Sequence, residues 1–117
     1  MRDFTKYEVW ELAIDVAQEI YLTTKKFPEE EKFGLTTQIR RASVSISSNI
    51  AEGASRSSDK EFNRFIEIAM GSLFEARSQL FLSNKIKILN EQEFDRLEEK
   101  LSTLAKKLNS LRNKLNH

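Results

Sequence analysis

With 117 residues, 19 Lys and Arg against 18 Asp and Glu, and a net charge of +1, the chain reads as one domain over residues 1–117 whose bulk electrostatics demand no nucleic-acid partner. It has no cysteine and one histidine, His117, which excludes a disulfide framework, a thiolate metal site and a cysteine nucleophile, and leaves no metal and no cofactor expected. No apolar run approaches the ~20 residues that span a bilayer and no secretory leader is visible, so a soluble, cytoplasmic chain with no membrane partner is expected.

Only 3 Gly and 1 Pro punctuate the sequence, which predicts few, long elements. Thr5 and Glu8 have capping-box spacing and open a first helix that runs to about residue 26. Trp10, Ala13, Ala17 and Ile20 form its apolar stripe, with Ile14 and Tyr21 beside it. Phe27-Pro28 ends it, because the residue before a proline is pushed out of helical geometry. A second helix is predicted over residues 30–52, with Glu29, Glu30 and Glu31 at its positive end and Gly53 as its C-cap.

A third helix is predicted over residues 59–84, opened by the Ser58–Glu61 capping pair. Phe62, Phe65, Ile66, Ala69, Leu73 and Leu80 make its core face. Gly71 lies in the middle, and the expected reason is close approach to Ala42, Ser43 and Ser47 on the second helix. Asn90 and Glu93 open the fourth helix, predicted over residues 91–113. Its apolar residues Phe94, Leu97, Leu101, Leu104, Leu108, Leu111 and Leu115 step by 3 and 4 without a break, a heptad seam. Four long helices with short connections predict an all-α, antiparallel up-down four-helix bundle.

Residues 38–53 carry more polar side chains than a plain core helix needs. The sequence makes Gln38, Arg40, Arg41, Asn49 and Glu52 a candidate polar cluster, structural or at a subunit interface. In it, Arg40 or Arg41 is expected to pair with Glu52 or Glu75, and Asn49 to satisfy a backbone end. The alternative is that the arginines grip a phosphate backbone. Val44, Phe74 and Phe81 fall off the core stripes, which points to an interface between copies. From residue 100 onward there are five bases and no acid: Lys100, Lys106, Lys107, Arg112 and Lys114. Complementarity to the helix dipole accounts for them; the alternative is a nucleic-acid contact, RNA or DNA, repeated around an oligomer. Arg56, Lys60 and Arg64 form a weaker patch, and no aromatic is interleaved with either one.

Trp10 and Ala13, Phe27-Pro28 with Glu31, Gly34-Leu35, residues 38–42, Ser45-Ile46 and residues 49–53 form one recurrent pattern, continued by Phe62, Phe65, Ala69, Gly71-Ser72, Glu75 and Leu80. On these residues the chain resembles the four-helix-bundle proteins called 23S rRNA intervening sequence proteins. That resemblance implies a cyclic homo-oligomer, a pentamer. The chain is also similar to the accessory protein of diversity-generating retroelements, a pentameric bundle with a basic surface that works with a reverse transcriptase and nucleic acid. An enzyme reading has one foothold: Arg112 and His117 have the R-x4-H spacing of HEPN ribonucleases. No catalytic residue is assigned, since the rest of the chain follows the other pattern. The expected function is a non-enzymatic scaffold or adaptor, with a purely structural assembly and a HEPN-like ribonuclease as the alternatives.

Overall fold

The heptad seam of the last helix finds its partners in three other helices. The computed structural model describes residues 2–116 and contains α1 (Glu8–Thr24), α2 (Leu35–Ala54), α3 (Asp59–Lys85) and α4 (Glu91–Leu115), with no strand among the described residues. Each helix packs on its neighbours in sequence, and α1 closes against α4, giving a square antiparallel bundle of 44 × 23 × 19 Å. Leu97, Leu101, Leu104 and Leu108 are fully buried against Ile20, Ile39, Ile46, Ile50, Phe62, Ile66, Leu73 and Leu80. Each such side chain contributes about 1.5–3 kcal/mol on burial. The seam loosens at its end, where Leu111 and Leu115 are only half-buried.

Two helix starts differ from the sequence expectation. The carboxylate of Asp3, not the Thr5 hydroxyl, caps the N-terminal segment: it accepts from the Thr5 N–H (3.0 Å) and from the Thr5 hydroxyl (2.6 Å). This closes a 3-10 turn at Phe4–Lys6, and α1 follows Tyr7 without a side-chain cap. The carboxylate is the stronger acceptor and takes the hydroxyl as a donor, so the Thr5–Glu8 box does not form. The second correction is at α2, which begins at Leu35 rather than near residue 30. Glu29–Glu31 form a separate 3-10 turn, and Gly34 breaks the path with φ −115° and ψ −112°. The acid still serves the positive end of α2, from outside the helix: Glu31 Oε1 accepts the Leu35 N–H at 3.2 Å. The caps at Ser58 and Asn90 form as expected, accepting from the N–H of Glu61 (3.1 Å) and Glu93 (2.8 Å).

The glycines exchange roles. Gly53 is not a left-handed cap; no glycine has positive φ, and α2 runs on through it to Ala54. A Cβ at Gly53 would lie 2.6 Å from Phe65 Cβ and 2.9 Å from Phe62 Cδ1. The close approach of α2 and α3 therefore sits here. At Gly71 a Cβ would meet nothing within 4 Å. Gly71 is two residues from both Ala69 and Leu73, which are fully buried, so at 100° per residue it points away from the core. Phe81, expected to need a partner outside the bundle, has one ring neighbour inside it: Phe94, edge-on at 4.8 Å.

Gly53→Ala is expected to lower stability by about 1–3 kcal/mol, the usual cost of overpacking. The check is urea unfolding: a shifted midpoint with an unchanged slope supports the close approach, and an unmoved midpoint refutes it.

Candidate nucleic-acid interface and polar cluster

The polar residues of α2 do not form one cluster, because 100° per residue sends them to different sides of the helix. Arg40 faces α1. Its Nε donates to Thr24 Oγ1 (2.9 Å), its Nη2 to the Tyr21 carbonyl (3.3 Å), and its guanidinium stacks on the Tyr21 ring at 4.6 Å. A carbonyl in the last turn of α1 thus gains a cationic donor, the partner its dipole favours. Gln38 faces α3, accepting from Gln79 Nε2 at 3.4 Å. Asn49 turns back within its own helix and donates to the Ser45 carbonyl (2.8 Å) and hydroxyl (3.0 Å). That hydroxyl bridges to Ser72 of α3 at 2.9 Å. Glu52 pairs with Arg56 one turn on (3.0 Å). Arg41 points outward, with no partner among the described residues. The expected pairing of Arg40 or Arg41 with Glu52 or Glu75 does not occur: Arg40 turns to the end of α1, Glu52 takes Arg56 and Glu75 accepts from Gln79.

Two of the five bases of α4 belong to the α1–α4 seam. Lys100 binds Asp15 at 2.7 Å and also Glu19, and Lys107 binds Glu8 at 3.0 Å. Arg96–Glu19 (2.9 Å) and Lys26–Glu93 (2.8 Å) complete the row. These two pairs were not singled out in the sequence. The signal was present: residues 93, 96, 100 and 107 flank the heptad seam in the same 3-4-7 spacing. Hydrogen bonds donated to Asp15 first, then to Glu19, hold the Lys100 ammonium pKa above its ordinary value of 10.5 against the opposing effect of burial.

The other bases meet at one end of the bundle. Up-down topology brings the starts of α1 and α3 beside the ends of α2 and α4. Contacts confirm it: Arg2 reaches Asp59 and donates to the Arg56 carbonyl (2.7 Å), and Arg112 lies 3.8 Å from Glu67. Lys60, Arg64, Glu67 and Asn116 line a cleft of about 360 Å³ between α3 and α4. On the other side of α4, Tyr7, Lys107, Ser110 and Lys114 line one of about 230 Å³. Lys60, Arg64, Lys106 and Lys114 are exposed and make no ion pair among the described residues. The two basic patches seen separately in the sequence lie on different sides of α4: Lys60 and Arg64 on the α3 side, where Arg112 approaches Glu67, and Lys107 and Lys114 on the α1 side. His117, the other half of the HEPN-like spacing, lies outside the described residues. Among the described residues no group of three or more His, Cys, Asp or Glu could hold a metal, and no helix is long and apolar enough to cross a membrane.

Fold and surface together define an all-α four-helix bundle with a polar outer face on α4. Its relationship is specific: the model of the 23S rRNA-intervening sequence protein family matches residues 5–110, and the chain belongs to that family. A crystal structure of a protein with unknown function from the S23 ribosomal protein family of Bacteroides thetaiotaomicron superposes with a TM-score of 0.79. The match covers 87% of this chain and 95% of that one at 23% identity, a likeness of fold. No curated protein matches the chain.

A lysine whose pKa is raised in the folded state contributes stability fully below its unfolded value and loses it as pH rises through the folded one. The melting-temperature gap between the native protein and Lys100→Met is therefore expected to stay constant from about pH 6 to about pH 9 and to close at higher pH. A gap that persists undiminished into the alkaline range would assign the effect to packing of the side-chain stem.

Proposed function

We propose that the protein is a non-enzymatic, cytoplasmic homo-oligomeric scaffold, a pentamer, whose basic end contacts the phosphate backbone of RNA or DNA. The observation that carries the nucleic-acid part is that Lys60 and Arg64, which line a cleft at the start of α3, and Lys106 and Lys114 of α4 are exposed and make no ion pair among the described residues. A net charge of +1 gives no long-range pull, so binding depends on this local surface. One copy offers few phosphate contacts. A ring repeats them, and affinity for a polyanion grows with the number of contacts. Without interleaved aromatics the surface has no stacking platform, which suits backbone contact over base readout.

Support for assembly comes from the distribution of exposed apolar side chains. Among the described residues, all ten large exposed hydrophobic side chains lie before α4, from Ile14 to Ile86, and α4 has none. One side of the bundle is finished for water and the rest is not. A second reading, an assembly without nucleic acid, is favoured by one observation: Lys100, Lys107 and Arg112 are already engaged with carboxylates.

Light scattering with mixed RNA and DNA at low and high salt separates the two. The mass of the assembly is expected to rise with nucleic acid at low salt and to fall back at high salt. Lys106→Glu with Lys114→Glu is expected to reduce the slope of log K against log salt by about 2 per copy engaged. A mass indifferent to nucleic acid at low salt refutes the basic-end contact and leaves the scaffold.

A further inference from the structure

The turn between α2 and α3, residues 55–58, is exposed along its whole length, and Arg2 folds back onto it. Arg2 Nη1 donates to the Arg56 carbonyl at 2.7 Å, and its Nη2 pairs with Asp59. Arg2, Ser55, Arg56 and Ser57 line an open cleft of about 650 Å³. Each guanidinium is backed by a ring of α3: Arg2 lies 5.0 Å from the centroid of Phe62, and Arg56 lies 4.7 Å from that of Phe65. A cation held over a ring has given up part of its side-chain freedom before any ligand arrives. The two forks are therefore set in place beside one space.

Few of their donors are used. A guanidinium carries five N–H groups; Arg2 commits two to the contacts above, and Arg56 commits one to Glu52 at 3.0 Å. The Ser57 hydroxyl makes no hydrogen bond among the described residues. Ser55 offers no donor, since its hydroxyl is given to the Glu52 carbonyl at 2.6 Å. Glu52 and Asp59 balance the two arginines in formal charge. Their side chains are 55% and 40% exposed, so both pairs are screened by water and weak. Lys60, exposed and without an ion pair among the described residues, tips the balance to positive. The cleft also opens at the start of α3, the end of a helix that favours an anion.

We propose that this cleft binds a terminal phosphate, with Arg2 and Arg56 as its cationic donors and Ser57 as a neutral one. A terminal phosphate presents three acceptor oxygens and up to two charges. A backbone phosphodiester presents two free oxygens and one charge, so a pair of arginine forks favours the former. The 5′-phosphate of a strand and free phosphate offer the same group. The first source rests on the nucleic-acid reading above; the second does not.

The native chain is titrated with inorganic phosphate, against chloride at equal ionic strength, while its amide resonances are followed by NMR. It is also titrated with one short single-stranded DNA carrying or lacking a 5′-phosphate. Phosphate is expected to move the amides of residues 55–58, and chloride to leave them in place. The phosphorylated strand is expected to bind about tenfold tighter than its twin. That advantage is expected to shrink below about pH 6, where the second charge is lost. Ser57→Asp puts a negative charge in the cleft without removing a contact of the fold, and Arg56→Gln removes one fork. Both variants are expected to melt at the native temperature and to lose the phosphate response and the tenfold advantage. Lys106→Glu with Lys114→Glu is expected to weaken both strands alike. A response to free phosphate without a strand preference assigns the cleft to a small phosphate ligand. If neither strand binds while free phosphate still moves these amides, the nucleic-acid reading fails and the cleft stands. Native amides at residues 55–58 that ignore phosphate, or a response that survives both variants, would overturn the phosphate site.

Discussion

Burial of the α4 leucine seam is the constraint on which the other features depend. Four leucines at 3-4 spacing need a continuous apolar trough, and here three further helices in a square supply it. Once α4 is seated, its two flanks are committed. One meets α1 through carboxylates and amines, and the other meets α3, where Arg77 Nε donates to Glu98 at 2.8 Å and Phe81 stacks edge-on with Phe94. The ion pairs are partly exposed, and each contributes little by itself. Their value is in register: they accept one vertical setting of α1 against α4 and penalise the rest.

The same seating sorts the charges. A base that projects over the seam's flank finds an acid on the neighbouring helix; one that projects straight out or lies beyond the neighbour's end does not. Lys100 and Lys107 are of the first kind, Lys106 and Lys114 of the second. Sequence position alone ranks them together, although they differ in what they can offer a phosphate. The positive end of the molecule is thus made by topology, which carries Lys60 and Arg64 from the start of α3 to the end of α4.

A lone bundle of this size would be expected to finish all its outer faces alike. Here α4 is finished with polar side chains, whereas α1, α2 and α3 keep Ile14, Val44, Ile68, Phe74 and Leu82 in partial contact with water. That asymmetry is what the proposed assembly, with α4 facing outward, would account for.

Helix number, the α3 and α4 caps and the leucine seam were all legible in the sequence, because they follow from local geometry: a 3.6-residue turn, a side-chain oxygen placed for an orphan N–H, a heptad. Local signals failed where two of them competed. Asp3 displaced Thr5 as the cap, and Gly34 delayed α2 by several residues. Partner choice was not legible at all. Arg40 binds the end of α1 and not Glu52, and Gly53 rather than Gly71 admits the neighbouring helix. Those outcomes depend on which surfaces the bundle brings within 3–4 Å, a distance set by packing across helices far apart in the chain. The sequence by itself determined which residues are helical and which face inward; the tertiary structure alone decided which polar side chains are already satisfied and which are left for another molecule.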